Sequence, residues 1–284
     1  MEVEITKHLP ILTEKNYYSD THYLSSSRFK EYLKCPLRQL MIDLGFWNSP
    51  KSSETFLVGN YVHSYFESRE AHEKFLQEHE KEIISTRGAT KGQPKAAFKV
   101  ADKMIASLEK ESLFNRLYHG GSDDIVEKEK IITGFLGGIP FKCKIDSINL
   151  SGGYFVDLKT MESIQKETFS PTLKSYTKQA VYNVVEYQYN LQFYIYQQLL
   201  KQELGYELTP YMVAISKEPI PDKEIILIDD DVLESGEAIF LSNIDIVKQF
   251  LDSNAYPSGC GHCDYCLTHK KLEHAITLSD LVNK

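Results

Sequence analysis

The chain reads as an α/β protein built on a mixed central β-sheet flanked by helices, and three observations predict that class. Residues from about Ile125 to Thr160 form apolar runs cut by Gly134, Gly137-Gly138 and Gly152-Gly153, the punctuation of antiparallel strands. Helical spacing precedes this block and returns after it. A further strand pattern from Tyr211 to Ser216 then follows the second helical stretch. The order helix, helix, antiparallel strands, helix, strand, helix suits a mixed sheet.

Residues 1–20 show no clear period and read as an arm. A helix is expected from Ser25 or Ser26, whose hydroxyl can cap the first turn, towards Leu40 or Leu44. A second begins around Phe56 to Val58 and sets His63 and Glu67 on one face. Arg87 to Lys95 is a polar, glycine-bearing loop. From 95 to 113 helical spacing puts Phe98, Ala101, Met104, Ile105 and Leu108 on a buried side. Beyond the strand block, a long Tyr- and Gln-rich helix is expected from Lys174 to Leu204. The strand Tyr211 to Ser216 and a β-rich segment, Glu224 to Ile228, lead to an acid-capped helix from Asp231 to Asn254. The expected organisation is one domain over 21–284, with a helical insert about 68–120, a core about 121–254 and a cysteine-bearing end over 255–284.

A chain of 284 residues with 42% hydrophobic content can bury a sizeable core. No stretch approaches the roughly 20 apolar residues of a membrane span, and Met1-Glu2-Val3-Glu4 lacks a signal-peptide pattern. The expectation is a cytoplasmic protein without a membrane partner. In that reducing compartment, three of five cysteines within seven residues read as metal ligands rather than disulfides. The net charge of −8 argues against a generally basic nucleic-acid coat but allows local patches. Arg28, Lys30 and Lys34; Arg87, Lys91 and Lys95; and Lys174 with Lys178 are the candidates, each weighed against an ordinary solvated face.

The strongest chemical signal is Asp146, ten intervening residues, then Asp157-Leu158-Lys159. Side chains alternate along a strand, so Asp157 and Lys159 share a face, while Lys142, Lys144 and Asp146 lie opposite Phe141, Cys143 and Ile145. If Ser151-Gly152-Gly153 turns the second strand back on the first, Asp146 and Asp157 converge on one divalent cation. A surface salt bridge is the plainer reading of Asp157 with Lys159. Glu67 and Glu129 are weaker candidates: either could reach the site through a water, but most glutamates at such positions are solvated. Gln192 and Tyr196 lie one helical turn apart. Ser25, Ser27 and Arg28 could present hydroxyls and a guanidinium to a phosphate, with helix capping plus an exposed arginine the equal alternative, and Lys91 and Lys95 lie on the loop best suited to touch a nucleic acid. Cys260, Cys263 and Cys266 place three thiolates in one tight loop. Their spacing resembles the start of a bacterial ferredoxin run; zinc is the main competitor, and His262 or His269 could replace a cysteine in a zinc site. Cys143, on the core side of its strand, reads as a buried thiol.

Taken together, these motifs resemble the PD-(D/E)XK nucleases, in the branch of the RecB nuclease domain and the RecE-like phage recombination exonucleases. The segment Leu24 to Pro36 is similar to the N-terminal helix motif of that branch, Gly59-Asn60-Tyr61-Val62-His63 to its Gly-x-x-x-His motif, and Gln192 to Tyr196 to its Gln-x-x-x-Tyr motif. The resemblance implies Asp146, Asp157 and His63 as ligands of Mg²⁺ or Mn²⁺, with the Leu158 carbonyl completing the protein's share. It implies Lys159 as the group that orients water or stabilises charge, and Gln192 and Tyr196 beside the site. It also implies a four-iron four-sulfur cluster on Cys35, Cys260, Cys263 and Cys266, with zinc as the alternative. The implied activity is a DNA exonuclease that resects linear duplex ends and works with a single-strand annealing protein, in a homo-oligomer. The alternatives are a RecB-like single-strand nuclease module of a helicase or CRISPR-adaptation complex, and a non-catalytic cysteine-clasped DNA-binding protein. The chain has no Gly-x-x-x-x-Gly-Lys-Ser/Thr loop, so an ATP motor would come from another chain.

Overall fold

The computed structural model describes residues 9–48, 54–252, 255–272, 275 and 277–279. The first eight residues of the expected arm, the Asn254 end of the expected last helix and parts of the 255–284 segment lie outside the described residues. The chain forms two compact units, one of residues 1–26 and 50–242, the other of 27–49 and 243–284. No helix among the described residues is long and apolar enough to cross a membrane.

A two-residue strand β1 (Leu24–Ser25) leads into α1 (Ser26–Lys34), and α2 (Pro36–Asp43) follows. The single helix expected here is therefore two. Pro36 has no amide hydrogen to donate and disfavours helical backbone in the residue before it, and Cys35 is extended at φ −158°, ψ 95°. Five further helices among the described residues lead to the strand block: α3 (Glu54–Glu67), α4 (Arg69–Glu78), α5 (Glu80–Ile83), α6 (Ala96–Glu109) and α7 (Ser112–His119). α6 buries Phe98, Ala101, Met104, Ile105 and Leu108, the five positions its spacing predicts.

The strand block is a meander of β2 (Val126–Leu136), β3 (Ile139–Asn149) and β4 (Tyr154–Met161). A separate hairpin, β5 (Glu167–Ser170) with β6 (Ser175–Lys178), then precedes α8 (Gln179–Glu186) and α9 (Tyr189–Leu204). The long helix expected from Lys174 is thus a strand and two helices. Gln188, left-handed at φ 53°, ψ 47°, separates α8 from α9, a conformation a non-glycine residue enters at a cost. β7 (Thr209–Ser216), β8 (Lys223–Leu227), α10 (Asp230–Leu251) and α11 (Asp264–Thr268) complete the order.

The sheet runs β1-β3-β4-β7-β8, with β2 paired to β3. β3 and β4 are antiparallel whereas β4 and β7 are parallel, the α8–α9 segment supplying the crossover. Alternation sorts β4 onto two sides. Val156 and Leu158 enter a buried cluster with Val58, Val62, Phe98 and Met104 from α3 and α6. Burying each such large apolar side chain stabilises the fold by about 2 kcal/mol. Phe155 instead meets Phe193 of α9, ring centroids 6.1 Å apart. The odd-numbered residues of β4 therefore look towards α9, and Asp157 and Lys159 are among them.

The β3–β4 ladder is short, running from Asn149 opposite Tyr154 to Ser147 opposite Val156. Past that point the strands part: Phe141 and Lys142 of β3 pair with β1, while β4 continues along β7 to Met161. Asp146 and Asp157 are the first residues beyond the last pair, so the sheet forks between the two carboxylates.

Candidate active site

The fork gives Asp146 a backbone group to hold. The amide N–H of Leu158 donates to Asp146 Oδ2 at 2.7 Å, a bond that ties the two strands where the ladder has stopped. The same oxygen lies 3.3 Å from Nδ1 of His63, delivered by α3. On the other branch, Asp157 Oδ2 pairs with Lys159 Nζ at 2.6 Å. Gln192 Nε2, in the first turn of α9, donates to Asp157 Oδ1 at 3.0 Å. The Asp146 and Asp157 residues are 7% and 3% exposed. The Asp157–Lys159 pair is therefore buried, not the surface salt bridge that was its plainer reading.

Charge in this space is tightly linked. Burial opposes ionisation of Asp146, but His63, Lys159 and the Leu158 amide together hold its carboxyl below the usual range. Burial raises Asp157; Lys159 works against that shift and Asp146 adds to it. Burial alone would lower His63, yet the Asp146 carboxylate reverses this and carries the imidazole up to about 9. Lys159 is likewise pushed up, against its burial, chiefly by Asp157. The site is thus an array of ion pairs with Lys159 as an ammonium.

Glu129 is more central than its sequence suggests. Lys128 lies opposite Ser147 and Lys130 opposite Ile145, which places Glu129 across from Asp146, and it takes φ 49° there. A left-handed non-glycine residue inside a strand costs on the order of 1–3 kcal/mol and marks a position held by its surroundings. Its side chain is not solvated: the residue is 9% exposed, and Oε2 bonds Lys144 Nζ at 2.5 Å. Burial and Asp146 push this carboxyl up to about 7. His63, Glu129 and Asp146 each offer a donor atom, all within 4.8 Å of one another. Glu67, four residues after His63 on α3, is raised by burial and feels Lys144, Asp146 and His63.

Tyr196 is 9% exposed, and burial followed by the nearby Asp157 drives its hydroxyl well above the ordinary phenol range. Tyr189, one of several tyrosines in this stretch, places its ring centroid 5.0 Å from Lys159 Nζ. No residue-level signal marks it, because its position depends on the break at Gln188.

The residues expected to touch DNA are spread over both units. Ser25 lies in β1 opposite Lys142. Ser27 is exposed on α1. Arg28 grips the Asp43 carboxylate with Nε at 3.0 Å and Nη2 at 2.8 Å, and Tyr32 donates to the same group at 2.5 Å. Lys91 and Lys95 are exposed, and Lys95 Nζ donates to the Lys81 carbonyl at 3.1 Å.

In the second unit, Cys35, Cys260, Cys263 and Cys266 converge, with all four sulfurs within 4.8 Å of one another. Cys35 Sγ lies 3.7 Å from Cys266 Sγ and 3.6 Å from Cys263 Sγ. His269 is not part of the group; its ring stacks on Tyr265 at 4.2 Å, with Nδ1 2.8 Å from the Tyr265 carbonyl. Cys143 is 1% exposed on the core side of β3, where burial drives its thiol far above the usual range.

Over residues 25–269 the chain matches the family described as a PDDEXK-like domain of unknown function (DUF3799). Among solved structures, a protein from Eubacterium rectale named "Putative exonuclease" is 28% identical with a TM-score of 0.84, over 96% of this chain and 98% of that one. The structure of SSO0001 aligns over 84% of this chain and 89% of that one at 15% identity, with a TM-score of 0.27 that carries no argument. No curated protein matches. A forked sheet that sets Asp146 against Asp157-Leu158-Lys159, together with a family match over most of the chain, establishes that this protein belongs to the PDDEXK-like family.

Proposed function

We propose that the chain is a divalent-metal-dependent deoxyribonuclease that degrades linear duplex DNA from its ends. The observation that carries this reading is the fork, with a His63–Asp146 pair on one branch and an Asp157–Lys159 pair on the other. The donor set suits a hard cation: His63, Glu129 and Asp146 offer an imidazole and two carboxylates within 4.8 Å of one another, with the buried Asp157 carboxylate across the fork. Asp146, Asp157 and His63 would hold Mg²⁺ or Mn²⁺, with the Leu158 carbonyl as a further donor. Such an ion, when bound, polarises the phosphate and lowers the pKa of a coordinated water.

The protein's own groups divide the remaining work. Lys159, an ammonium, cannot accept a proton; it orients the attacking water or neutralises charge growing on the phosphate oxygens. Gln192 fixes the Asp157 carboxylate through one oxygen and leaves its orientation settled before substrate arrives. Tyr189 under Lys159 limits where the amine can swing. Resection of this kind exposes single strands, which gives the enzyme a partner in a single-strand annealing protein. The four thiols are a separate metal-thiolate site that joins the 27–49 and 243–284 segments of their own unit; the resemblance implies an iron-sulfur cluster there, with zinc as the alternative.

Incubation with Mg²⁺ or Mn²⁺ and end-labelled linear duplex, alongside a closed circle, tests the proposal. Loss of the linear form with the circle intact is expected, and label release gives the polarity. Cutting of the circle would overturn the exonuclease assignment, and inertness towards every DNA form would overturn the nuclease.

The His63–Asp146 pair makes a second expectation. A cation can use His63 only as the neutral imidazole, so below pH about 9 binding must release its proton. Apparent affinity for Mg²⁺ should strengthen as pH rises from 7 to about 9, approaching tenfold per unit, and level off above. His63→Asn should bind more weakly and lose the slope. Calorimetric titration of Mg²⁺ across this range checks it; a flat wild-type profile would remove His63 from the ligand set. The apoprotein behaves oppositely: the ion pair's contribution is whole below the ordinary histidine pKa and is lost as pH climbs through about 9.

A further inference from the structure

We infer that Cys35, Cys260, Cys263 and Cys266 hold a single tetrahedral zinc ion and not a four-iron four-sulfur cluster, an inference that rests on reading these thiols as a metal site. The two arrangements differ in scale. Around one ion with bonds of about 2.3 Å, tetrahedral sulfurs lie about 3.8 Å apart. Around a cuboidal cluster each thiolate caps its own iron, so the cysteine sulfurs stand about 6 Å apart with inorganic sulfide between them. Here Cys35 Sγ is 3.6 Å from Cys263 Sγ and 3.7 Å from Cys266 Sγ, and the four sulfurs all fall within 4.8 Å. The two edges at Cys35 match a one-ion tetrahedron, and the bound of 4.8 Å on the others is shorter than the spacing a cuboidal cluster needs. A cuboidal cluster does not fit between them.

The backbone is arranged for the same small site. Cys260 N–H donates to Cys35 Sγ at 3.4 Å, Cys263 N–H to Cys260 Sγ at 3.3 Å and Cys266 N–H to Cys263 Sγ at 3.5 Å. Amide donors of this kind favour thiolate over thiol and fix the sulfur directions, the outer support that metal ligands need. Gly261, at φ +81°, lets the Cys260–Cys263 turn close. Gly259 closes the other side: a β-carbon there would lie 2.6 Å from Cys266 Sγ, so the chain is drawn against the sulfur rather than held off it. On the opposite wall, Pro36 keeps Cys35 extended at the break between α1 and α2. Four soft thiolates in a closed tetrahedral set, with no position left for water, form a structural zinc site.

The test is metal and sulfide analysis of the full-length protein, expressed with iron and zinc both supplied and purified anaerobically without chelators. The expected result is about one zinc per chain and no acid-labile sulfide, the zinc retained in an Asp146→Asn/Asp157→Asn double variant and falling at least tenfold in Cys263→Ser. Because Cys263→Ser removes a ligand and can unfold, the wild-type protein grown with Co²⁺ in place of zinc supplies a second readout. Four thiolates around cobalt give strong visible absorption bands of a tetrahedral site. About four irons with four sulfides per chain, or a single iron, would overturn the choice of zinc while leaving a metal site. Absence of any bound metal would overturn the site itself. None of these outcomes depends on DNA cleavage, so the nuclease reading stands or falls separately.

Discussion

Asp157→Asn should lower the rate of DNA cleavage by about a thousandfold or more, equivalent to about 4 kcal/mol of transition-state stabilisation, while leaving the protein folded. Asparagine keeps the shape and can still accept the Gln192 hydrogen bond that Asp157 Oδ1 receives at 3.0 Å. What it removes is charge. A cation ligand is lost, and Lys159, now without the carboxylate 2.6 Å away, is free to turn from the position that suits a phosphate. For stability the two consequences oppose each other. Losing the partner of a buried ammonium costs stability, but burial and the neighbouring Asp146 already disfavour the ionised form of Asp157, so removing its charge relieves that cost. The melting temperature should therefore move little beside the change in rate. Circular dichroism establishes the fold and initial rates with a labelled duplex give the effect. Cleavage within tenfold of wild type would place the chemistry elsewhere in the molecule. Lys159→Met, which removes the amine and keeps the carboxylate, should also cut the rate strongly, but with the dependence on Mg²⁺ concentration closer to wild type.

The meeting of Asp146 with Asp157 and Lys159 is legible in the sequence because these three parts are local, whereas His63 and Gln192 come from distant helices. Asp157 and Lys159 are two apart on one strand, and the Gly152-Gly153 turn brings back a strand whose partner carboxylate is only eleven residues earlier. α6 was readable for a similar reason, since an unbroken helical period fixes its buried face without help from the rest of the fold. Elsewhere the determining feature was a single backbone conformation. Gln188 interrupts a run of helix-forming residues by going left-handed, and nothing in its side chain announces this. Glu129 is hidden in the same way, its importance arising from a φ of 49° and from lying opposite Asp146 on a neighbouring strand. Cys35-Pro36 is different. The proline states the break between α1 and α2 plainly, but the amphipathic pattern on either side outweighs it when the segment is read for periodicity.

Gly236→Ala should be among the most damaging of small substitutions, although Gly236 lies within α10, where alanine is intrinsically the better helix former by about 1 kcal/mol. A β-carbon at 236 would stand 2.3 Å from the Asn190 carbonyl oxygen, 2.6 Å from its carbon and 2.9 Å from the Leu191 nitrogen. These are backbone atoms of the first turn of α9 and cannot swing aside as a side chain would. Asn190 is further tied to α10 by the bond from its Nδ2 to Ser235 Oγ at 2.8 Å, and its own Oδ1 accepts the Leu191 amide at 2.9 Å. Relief requires the two helices to separate, and overpacking of this kind costs about 1–3 kcal/mol, more than the gain in helix propensity. Chemical denaturation should show a loss of about 2 kcal/mol, and an unchanged or raised midpoint would refute the close approach. The displacement also has a catalytic consequence. Gln192 is two residues beyond the contact and holds Asp157 from the same turn of α9, so a shift of that turn moves the carboxylate's support. At temperatures where the variant is fully folded, its cleavage rate at saturating Mg²⁺ should still fall, by as much as a hundredfold for a displacement of about 1 Å. A variant destabilised but fully active when folded would mean that the start of α9 can move without carrying Gln192 with it.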